Sequence, residues 1–385
     1  MTFEIRVNNQ IFTDFESARV VRSLDTNSGA FSFTSSNTAP ADYPVRAGDA
    51  VQILINGVSK IVGFCDSVSG SMTTDGHTIT AQGRDNTCDL IDSSVPDSAK
   101  TIPSPISLKA FSETLISALG LNIPVVNSIG SSVIVGDAVS DDIFAENTGI
   151  TADSGRRCMD FLTDFARKKQ VYIITDGAGR MLIYRPGNTN APGALIHRRD
   201  GDDQNTIKSY SVTFDHGNRF RTYKVSSQDN LGSFETYETE SVSRGGTATD
   251  TGSRPGRYME FQAEEAMDDA ESARRATEEA NIRKSRAVNY MAVVAGVSPD
   301  FKSRNLWDIG QLVSVSDDFA GIRGTFLIRE VEYVVNLSRG TETRITVAPP
   351  DAYNVRIGNT QDDRRAKEGS GLQRLTPTQR LAFIR

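Results

Sequence analysis

Hydrophobic and polar residues alternate through the first 95 or so positions, and this period-two pattern predicts short β-strands. Residues 3–7 alternate and end at Asn8-Asn9, a turn signal. Residues 51–55 run into Asn56-Gly57, a strong signal for a tight hairpin. Short strands separated by turns are typical of a small barrel or sandwich. We therefore predict a first β-barrel-like domain over residues 1–98.

After Pro103 and Pro105, the spacing of apolar residues changes to that of an α-helix. Ser107 is a suitable N-cap, and apolar residues then recur at helical spacing up to Gly120, which ends the helix. A second helix is predicted after residues 153–154, followed by two apolar strands that flank a glycine-rich turn at residues 176–179. This order predicts a small α+β middle domain over residues 99–190.

The third part of the chain begins with a linker and returns to strands. Residues 191–206 are predicted to be the linker, because this region is rich in Gly, Asn, Asp and Pro. A second β-barrel-like domain is predicted over residues 207–350. Within it, we interpret the Gly-, Ser-, Thr- and Arg-rich residues 244–256 as a loop. A long helix is predicted over residues 260–288, because its acidic first half and basic second half complement the helix dipole.

Small residues form a stripe along one face of this predicted helix. They recur at steps of three and four and permit close approach to a sheet or another helix, although they bury little area: Ala263, Ala266, Ala270, Ala273, Thr277 and Ala280. Packing within the chain and contact with another subunit are both compatible with this stripe.

One strand pattern occurs twice, about 262 residues apart. Each copy has a glycine turn, an alternating strand, a second strand that reaches a valine, a polar hairpin and a third strand. The copies begin at Gly48 and Gly310. We interpret them as two related β-domains. Convergence is the alternative explanation, because G-x-x-V-x-[VI] is common in antiparallel proteins.

The C-terminal residues 351–385 are predicted to be a tether followed by a docking tail. Residues 361–371 contain no apolar side chain larger than alanine, as is typical of a flexible segment. The segment after them regains large apolar side chains that we interpret as possible contacts to a partner: Leu375, Leu381, Phe383 and Ile384.

Composition narrows the class of protein. Hydrophobic residues make up 38% and charged residues 24%, as in soluble globular proteins, and the net charge is −7. A surface that binds nucleic-acid phosphate is usually basic, so we expect DNA only in passage. Three widely spaced cysteines form no disulfide framework. Since no apolar run approaches the 18 or so residues of a membrane span and no signal-peptide pattern is present, we expect cytoplasmic assembly and no membrane insertion.

The sequence offers no recognisable catalytic or metal-binding motif. The three histidines lack metal-ligand spacing, and H-E-x-x-H, G-x-S-x-G and P-loop patterns are absent. An acidic run from residue 200 resembles a calcium loop only faintly, because Asn205 and Ser211 replace the glycine and glutamate such a loop needs. We therefore expect no enzyme activity, cofactor or metal, with a hidden glycosidase carboxylate pair as the alternative.

One polar element follows a strand that ends at residue 83. Arg84 and Asp85 are interpreted as an internal ion pair that closes the barrel, and a short helical turn follows. The residues of this structural motif are Gly83, Arg84, Asp85, Asp89 and Asp92.

This G-R-D-x-x-x-D-L-x-D-x-S element resembles the baseplate hub family of contractile-tailed phages. The likeness continues in the family's order over nearly the whole chain. It includes the approach to a strand at residues 45–49, the helix-and-hairpin block, the acidic-to-basic helix, and residues 305–310 and 348–353.

The resemblance implies a mainly β fold with α+β insertions, in which two related β-barrel-like domains and a middle domain assemble as a homotrimeric ring of pseudo-six-fold symmetry. It implies a structural function in the virion tail baseplate, as a hub that joins the six-fold tail tube to the three-fold spike and forms the channel for DNA ejection. The implied partners are further copies of the chain, the spike or puncturing protein, the tube protein, baseplate wedge proteins and, as a further candidate, the tape-measure protein.

Two alternatives stay open at this point. The first is a hub component of a type VI secretion or other phage-derived injection machine, since spike proteins of such machines share the hub fold. The second is a tail-associated hydrolase that degrades cell wall, which a peptidoglycan zymogram distinguishes.

Overall fold

The computed structural model describes residues 2–353 with several gaps, namely 14, 38–44, 75, 104, 130–133, 136–149, 169–170, 201–203, 230–241, 263–268, 301–302, 337 and 339. Strands dominate the described residues and four α-helices accompany them, so the prediction of a mainly β fold is confirmed. The predicted docking tail, with Leu375, Leu381, Phe383 and Ile384, lies outside the described residues.

Seven antiparallel strands form the N-terminal β-unit. They are β1 (Phe3–Val7), β2 (Gln10–Phe12), β3 (Ser17–Ser23), β4 (Ala30–Asn37), β5 (Ala50–Ile55), β6 (Val58–Thr73) and β7 (Gly76–Asp85), followed by the short helix α1 (Cys88–Asp92). The predicted hairpin at Asn56-Gly57 joins β5 to β6, with both residues at positive φ as a tight two-residue turn requires.

The middle unit has its own core. It contains β8 (Thr101–Ile102), β9 (Ile106–Ser107), α2 (Leu108–Ala118), β10 (Val125–Asn127), β11 (Ile134–Val135), β12 (Ile150–Thr151), α3 (Cys158–Lys168), β13 (Tyr172–Thr175) and β14 (Met181–Tyr184). The Ser107 hydroxyl accepts a hydrogen bond from the Ala110 amide at 3.1 Å, which confirms the predicted N-cap. The two helices meet through Phe111, Phe161 and Phe165, whose rings pack edge to face.

The second β-unit contains β15 (Thr189–Asn190), β16 (Leu195–His197), β17 (Ile207–Phe214), β21 (Val288–Ala295), β22 (Gln311–Asp317), β23 (Ile322–Asn336) and β24 (Gly340–Ala348). The segment predicted to be a linker therefore contains the strand β16, which pairs with β22. Leu195 of this strand is fully buried, so apolar burial overrides the polar composition of its neighbours.

An insertion lies between β17 and β21. It consists of β18 (Thr222–Asp229), β19 (Val242–Thr249), β20 (Tyr258–Gln262) and α4 (Asp269–Arg286). Two predictions fail here. The long helix does not begin at residue 260, because residues 258–262 pair as a strand with β18, and the glycine-rich segment predicted to be a loop contains β19.

A buried face of small residues on α4 explains how this insertion packs. Ala276 and Ala280 are buried against Tyr223 and Val225 of β18. A Cβ on Gly246 of β19 would lie 2.0 Å from the Ala273 backbone nitrogen, so glycine there permits close approach of the helix. The face of α4 that packs within the chain therefore carries Ser272, Ala276 and Ala280 and shares only part of the predicted stripe. Of the other stripe residues, Ala270 and Thr277 are exposed, and Ala263 and Ala266 lie outside the described residues.

The two β-units share one sheet and one core. The second half of β23, residues 330–336, pairs antiparallel with β3, and we call this contact the seam. Because of the seam, the main sheet runs continuously from β17 through β21, β24, β23, β3, β4, β7, β6 and β5 to β1 and β2. Buried residues of both units form a single hydrophobic cluster, whereas the middle unit has a separate one.

The internal repeat predicted from sequence is visible in the strand pairing. The Gly48 amide donates to the Cys65 carbonyl at 2.7 Å, and the Gly310 amide donates to the Ile328 carbonyl at 2.8 Å. The register is shifted by an extra residue directly after Cys65 in β6 and directly after Ile328 in β23. The same hydrogen bond and the same irregularity thus occur at matching positions of the two β-units.

The match extends to the order of the strands. In the N-terminal unit, β5, β6, β7, β4 and β3 follow one another across the sheet, and in the second unit β22, β23, β24, β21 and β17 do so. All these pairings are antiparallel. The order of these five strands along the chain is also the same, and the described residues of the second unit add an insertion between β17 and β21. A shared order and register of this extent supports duplication over convergence.

Candidate functional site

The predicted G-R-D element stands at the end of β7, where the N-terminal unit meets the middle unit. Gly83 is packed so closely that a Cβ there would lie 2.1 Å from the Phe64 carbonyl oxygen and 2.5 Å from the ring of Phe31. No side chain fits in this space, so glycine fixes the distance between β7 and its neighbours.

Asp85 is the buried centre of the element, with 1% of its surface exposed. Its carboxylate accepts hydrogen bonds from the Gly29 amide at 2.6 Å and from the hydroxyls of Ser28 at 2.8 Å, Thr87 at 2.6 Å and Thr175 at 2.6 Å. Thr175 belongs to β13 of the middle unit. The Asp85 carboxylate therefore ties the two units together through charge-assisted hydrogen bonds.

Arg84 points to the opposite face, because successive side chains of a strand alternate. Its guanidinium donates to the carboxylates of Asp66 and Asp92, both at 2.7 Å. The predicted internal ion pair between Arg84 and Asp85 is therefore wrong. The hydrogen bond from Arg84 lowers the pKa of Asp92, but these side chains are 34–54% exposed, so the pairs contribute little stability.

Asp89 stands apart from these contacts, in the first turn of α1. It lines a shallow groove of about 530 Å³ between the N-terminal and middle units, together with Arg6, Gln52 and Phe64. Burial, and then the charge of Asp89, raises the pKa of the neighbouring Cys88 thiol to about 12. The structure thus brings Gly83, Arg84, Asp85 and Asp92 into one corner and places Asp89 at its edge.

A second cluster of charges, absent from the sequence predictions, lies where all three units meet. The Asp308 carboxylate accepts hydrogen bonds from Arg22 Nη1 at 2.5 Å and from Lys60 Nζ at 2.6 Å. Arg22 also donates to the Thr175 carbonyl at 2.6 Å, and Lys60 lies 5.8 Å from the ring centre of Tyr333. Arg22 and Lys60 are each 5% exposed and the Asp308 side chain is 25% exposed, so the two cations are buried and the carboxylate is partly open to solvent.

The electrostatics of this cluster follow from its burial. Burial opposes the charged form of Asp308, but the nearby charges of Arg22 and Lys60 lower the pKa of its carboxyl overall. Burial lowers the pKa of Lys60, although Asp308 opposes that shift. The three residues come from β3, β6 and the loop before β22, and no sequence spacing links them. Only the position of Asp308 within the run 305–310 could have drawn attention to it.

These sites are built for connection between parts of the chain. Within the described ranges, no group of three or more His, Cys, Asp or Glu residues is placed to hold a metal ion. No helix of the described residues is both long and apolar enough to cross a membrane. The carboxylates of Asp85 and Asp308 accept hydrogen bonds across unit boundaries, which fixes the relative position of the three units.

Comparison with known proteins identifies a family for both β-units. Residues 2–85 match the family described as Mu phage baseplate assembly protein GpP-like, N-terminal, and residues 268–356 match Mu phage baseplate assembly protein GpP, fourth domain. The chain is 24% identical over 375 residues to the baseplate hub protein gp44 of Escherichia phage Mu, covering 96% of this chain and 93% of that protein.

Solved structures share the fold. The 43 kDa tail protein of prophage MuSo2 from Shewanella oneidensis superposes with a TM-score of 0.75 at 22% identity, covering 92% of this chain and 99% of that one. A tail protein from Neisseria meningitidis MC58 superposes with a TM-score of 0.73 at 16% identity, covering 91% of this chain and 97% of that one. A component of the E. coli type VI secretion system superposes with a TM-score of 0.52 at 11% identity, covering 90% of this chain and 76% of that one. That protein is described as structurally similar to the T4 tail proteins gp27 and gp5.

The two matched family domains occur in the order that the sequence resemblance implies, one in each β-unit. The chain also aligns with the phage Mu hub protein over nearly its full length. Residues 2–85 and 268–356 are therefore domains of the Mu phage baseplate assembly protein GpP type, and the chain as a whole is similar to the baseplate hub protein of phage Mu.

Proposed function

We propose that three copies of this chain form a ring that joins the six-fold tail tube to the three-fold spike, with a central channel through which DNA leaves the virion. The partners in this proposal are further copies of the chain, the tube protein, the spike, baseplate wedge proteins and the tape-measure protein. Assembly takes place in the host cytoplasm before the tail is complete.

The observation that carries this proposal is the repeat of one β-unit within the chain. The two units have the same strand order, the same hydrogen bond at the first glycine and the same irregularity in the long strand. Three such chains present six similar units around one axis while keeping true three-fold symmetry. This number suits an adaptor between a six-fold and a three-fold partner.

The rigidity of the subunit supports the same role. The seam joins the two β-units into one sheet. Asp85 and Arg22 of the N-terminal unit hold Thr175 of the middle unit, and Asp308 of the second unit holds Arg22 and Lys60 of the N-terminal unit. An adaptor that transmits force during tail contraction needs its units to keep their relative positions. The net charge of −7 disfavours binding to DNA phosphate, so DNA would pass the channel without adhering to its wall.

A structural rather than enzymatic role is part of the proposal. The relatives bear the names of structural parts, a baseplate hub protein and tail proteins. For the hydrolase alternative, a zymogram on peptidoglycan should show no clearing. Clearing that a single carboxylate substitution abolishes would replace the structural role with catalysis.

A role in an injection machine is the second candidate, supported by the fold shared with the E. coli type VI component. Particles purified through a tagged copy of this chain separate the two candidates. The phage role expects capsid protein and protected DNA to co-purify with it, whereas an injection machine would yield tube and sheath proteins without packaged DNA.

Native mass spectrometry tests the ring. At micromolar concentration we expect a dominant species of three times the 41.9 kDa chain mass. The same measurement repeated with the spike protein present separates spontaneous assembly from assembly on the spike. A chain that stays monomeric in both samples would contradict the proposal.

A further inference from the structure

Among the described residues, several strand edges of the main sheet have a partner on one side only, and two of them occupy related positions in the two copies of the repeat. The second half of β6, residues 66–73, pairs with β7 but has no strand on its other side. Strand β17 pairs with β21 and likewise has no strand on its other side. Edges of this kind present backbone N–H and C=O groups that can pair with another chain.

The internal repeat shows what such an edge pairs with. Residues 330–336 of β23 are the counterpart of residues 67–73 of β6, because Tyr333 lies opposite Thr343 in β24 just as Gly70 lies opposite Ile79 in β7. In β23 this half-strand pairs with β3 to form the seam. The β6 edge thus lacks the neighbour that its counterpart has.

The counterpart of β3 in the second unit is β17. Val20 of β3 lies opposite Phe31 of β4, which in turn lies opposite Gly83 of β7. The same path in the second unit runs from Val212 of β17 through Tyr290 of β21 to Val347 of β24. Val212 therefore occupies the position of Val20, and β17 is the strand that would complete a second seam.

We propose that β6 of one subunit pairs antiparallel with β17 of the next, which repeats the seam between subunits. The register follows from the seam, where Tyr333 lies opposite Val20. It places Gly70 opposite Val212, Val68 opposite Phe214 and Met72 opposite Tyr210 of the adjacent copy. This inference rests on the trimer of the proposed function and adds the strands and residues that form its interface.

Side-chain exposure supports this assignment. In the seam, Val335 of β23 is 6% exposed and Arg22 of β3 is 4% exposed, and these are the counterparts of Met72 and Phe214. At the corresponding free edges, Met72 is 74% and Phe214 is 51% exposed. Large apolar side chains that are exposed in the subunit, at positions whose counterparts are buried, indicate a surface that another molecule covers.

The geometry of closure also fits a further copy of this chain. The proposed contact is head to tail, because it uses β6 of one copy and β17 of another. Contacts of this type form a closed ring when the rotation from each copy to the next adds up to one full turn. In a three-subunit ring, three seams within chains would alternate with three between chains, so that six equivalent strand pairings surround the axis.

Disulfide trapping tests the register. Residues directly opposite in an antiparallel pair lie about 4.5–5.5 Å apart at Cα, within disulfide range, whereas positions two residues out of register lie beyond about 7 Å. The in-register variant is Ser71→Cys with Ser211→Cys, and the out-of-register control is Ser71→Cys with Thr213→Cys. The native cysteines are buried and free, so the wild-type chain serves as the background control.

To restrict cross-links to pairs between subunits, full-length chains that carry Ser71→Cys alone are mixed with chains that carry Ser211→Cys alone and oxidised. We expect a covalent dimer in this mixture and at least fivefold less with the Thr213→Cys partner. Native mass spectrometry is run on the same samples. A trimer without the in-register cross-link would overturn this interface while leaving the proposed ring, and a monomer would overturn both.

A substitution tests the same surface without cysteine. Phe214→Asp places a charge at the proposed interface, and Ile11→Asp places one on β2, at the opposite end of the sheet path, where Ile11 is 61% exposed. We expect Phe214→Asp to raise the concentration at which trimers dissociate by more than tenfold without changing the subunit's melting temperature as a monomer. Equal effects of the two substitutions would contradict the assignment.

Discussion

Tyr333 in β23 lies opposite Val20 in β3, and both side chains are fully buried in the seam between the two β-units. The Tyr333 hydroxyl also donates a hydrogen bond to the Trp307 carbonyl in the loop before β22. The pair therefore connects the first copy of the repeat to two elements of the second. A junction of this kind makes the two units fold and move as one body.

Replacing Tyr333 tests the contribution of the seam to stability. Tyr333→Ala should lower the free energy of unfolding by about 3–5 kcal/mol, because it removes a large buried ring and leaves a cavity. Tyr333→Phe, the matched control, removes only the hydroxyl and should cost about 1 kcal/mol. Urea denaturation followed by circular dichroism measures both. Equal losses for the two variants would mean that the ring contributes nothing beyond its hydrogen bond.

The Asp85 carboxylate should be indispensable to the contact between the N-terminal and middle units. Asp85→Asn exchanges one acceptor oxygen for an amide donor that faces at least two of the groups now donating to the carboxylate, so we expect a loss of about 3 kcal/mol in unfolding free energy. Asp92→Asn changes an exposed ion pair and should cost less than about 1 kcal/mol. Denaturation curves in which the two variants coincide would show that the buried carboxylate is not a structural centre.

Local signals in the sequence predicted the elements well. The Asn56-Gly57 turn, the Ser107 cap and the two glycine-initiated repeats are all formed by neighbours along the chain, so their physical cause is present in the sequence itself. Strand β19 was missed because its support is not local. It pairs with β18 and lies against α4, where the same glycines that suggested a loop permit close packing.

Buried charges were missed for a related reason. The donors to Asp85 and Asp308 come from distant segments, such as Ser28 and Thr175 for Asp85, and no periodicity marks them. The G-R-D element was noticed, but the partner of each residue depends on which face of β7 it occupies. That face becomes known only when the register of the sheet is known.

Alkaline pH should destabilise the subunit. Burial raises the pKa of the Cys158 thiol to about 11, that of Cys88 to about 12 and that of the Tyr184 hydroxyl to about 12. When folding raises the pKa of a group, its neutral form stabilises the folded state, and this contribution is complete at pH values below the pKa in the unfolded chain. The contribution is lost as the pH rises from that pKa toward the pKa in the folded state. Between pH 9 and pH 11, we expect the unfolding free energy to fall by more than about 2 kcal/mol. A flat profile in denaturation curves over this range would contradict the burial of these groups.

The C-terminal residues are predicted to be needed for docking but not for folding. A chain truncated after Asn359 should keep the melting temperature and the oligomeric mass of the full chain, because the segment from 361 to 371 carries too few apolar groups to join a core. It should fail to complete baseplates in a complementation assay. The quadruple variant with Leu375, Leu381, Phe383 and Ile384 changed to Ser is the full-length control and should show the same defect. A drop of more than about 5 °C in melting temperature on truncation would place the tail in the fold of the subunit.

Electron cryomicroscopy of the purified full-length chain, alone and with its spike protein, tests the central claim most directly. Our account predicts a three-fold ring around an open channel, in which six similar β-units alternate between first and second copies of the repeat. Density between adjacent subunits should show β6 beside β17, in the register of the seam. A closed particle without a central channel, or a ring whose subunits meet through the middle units alone, would contradict it.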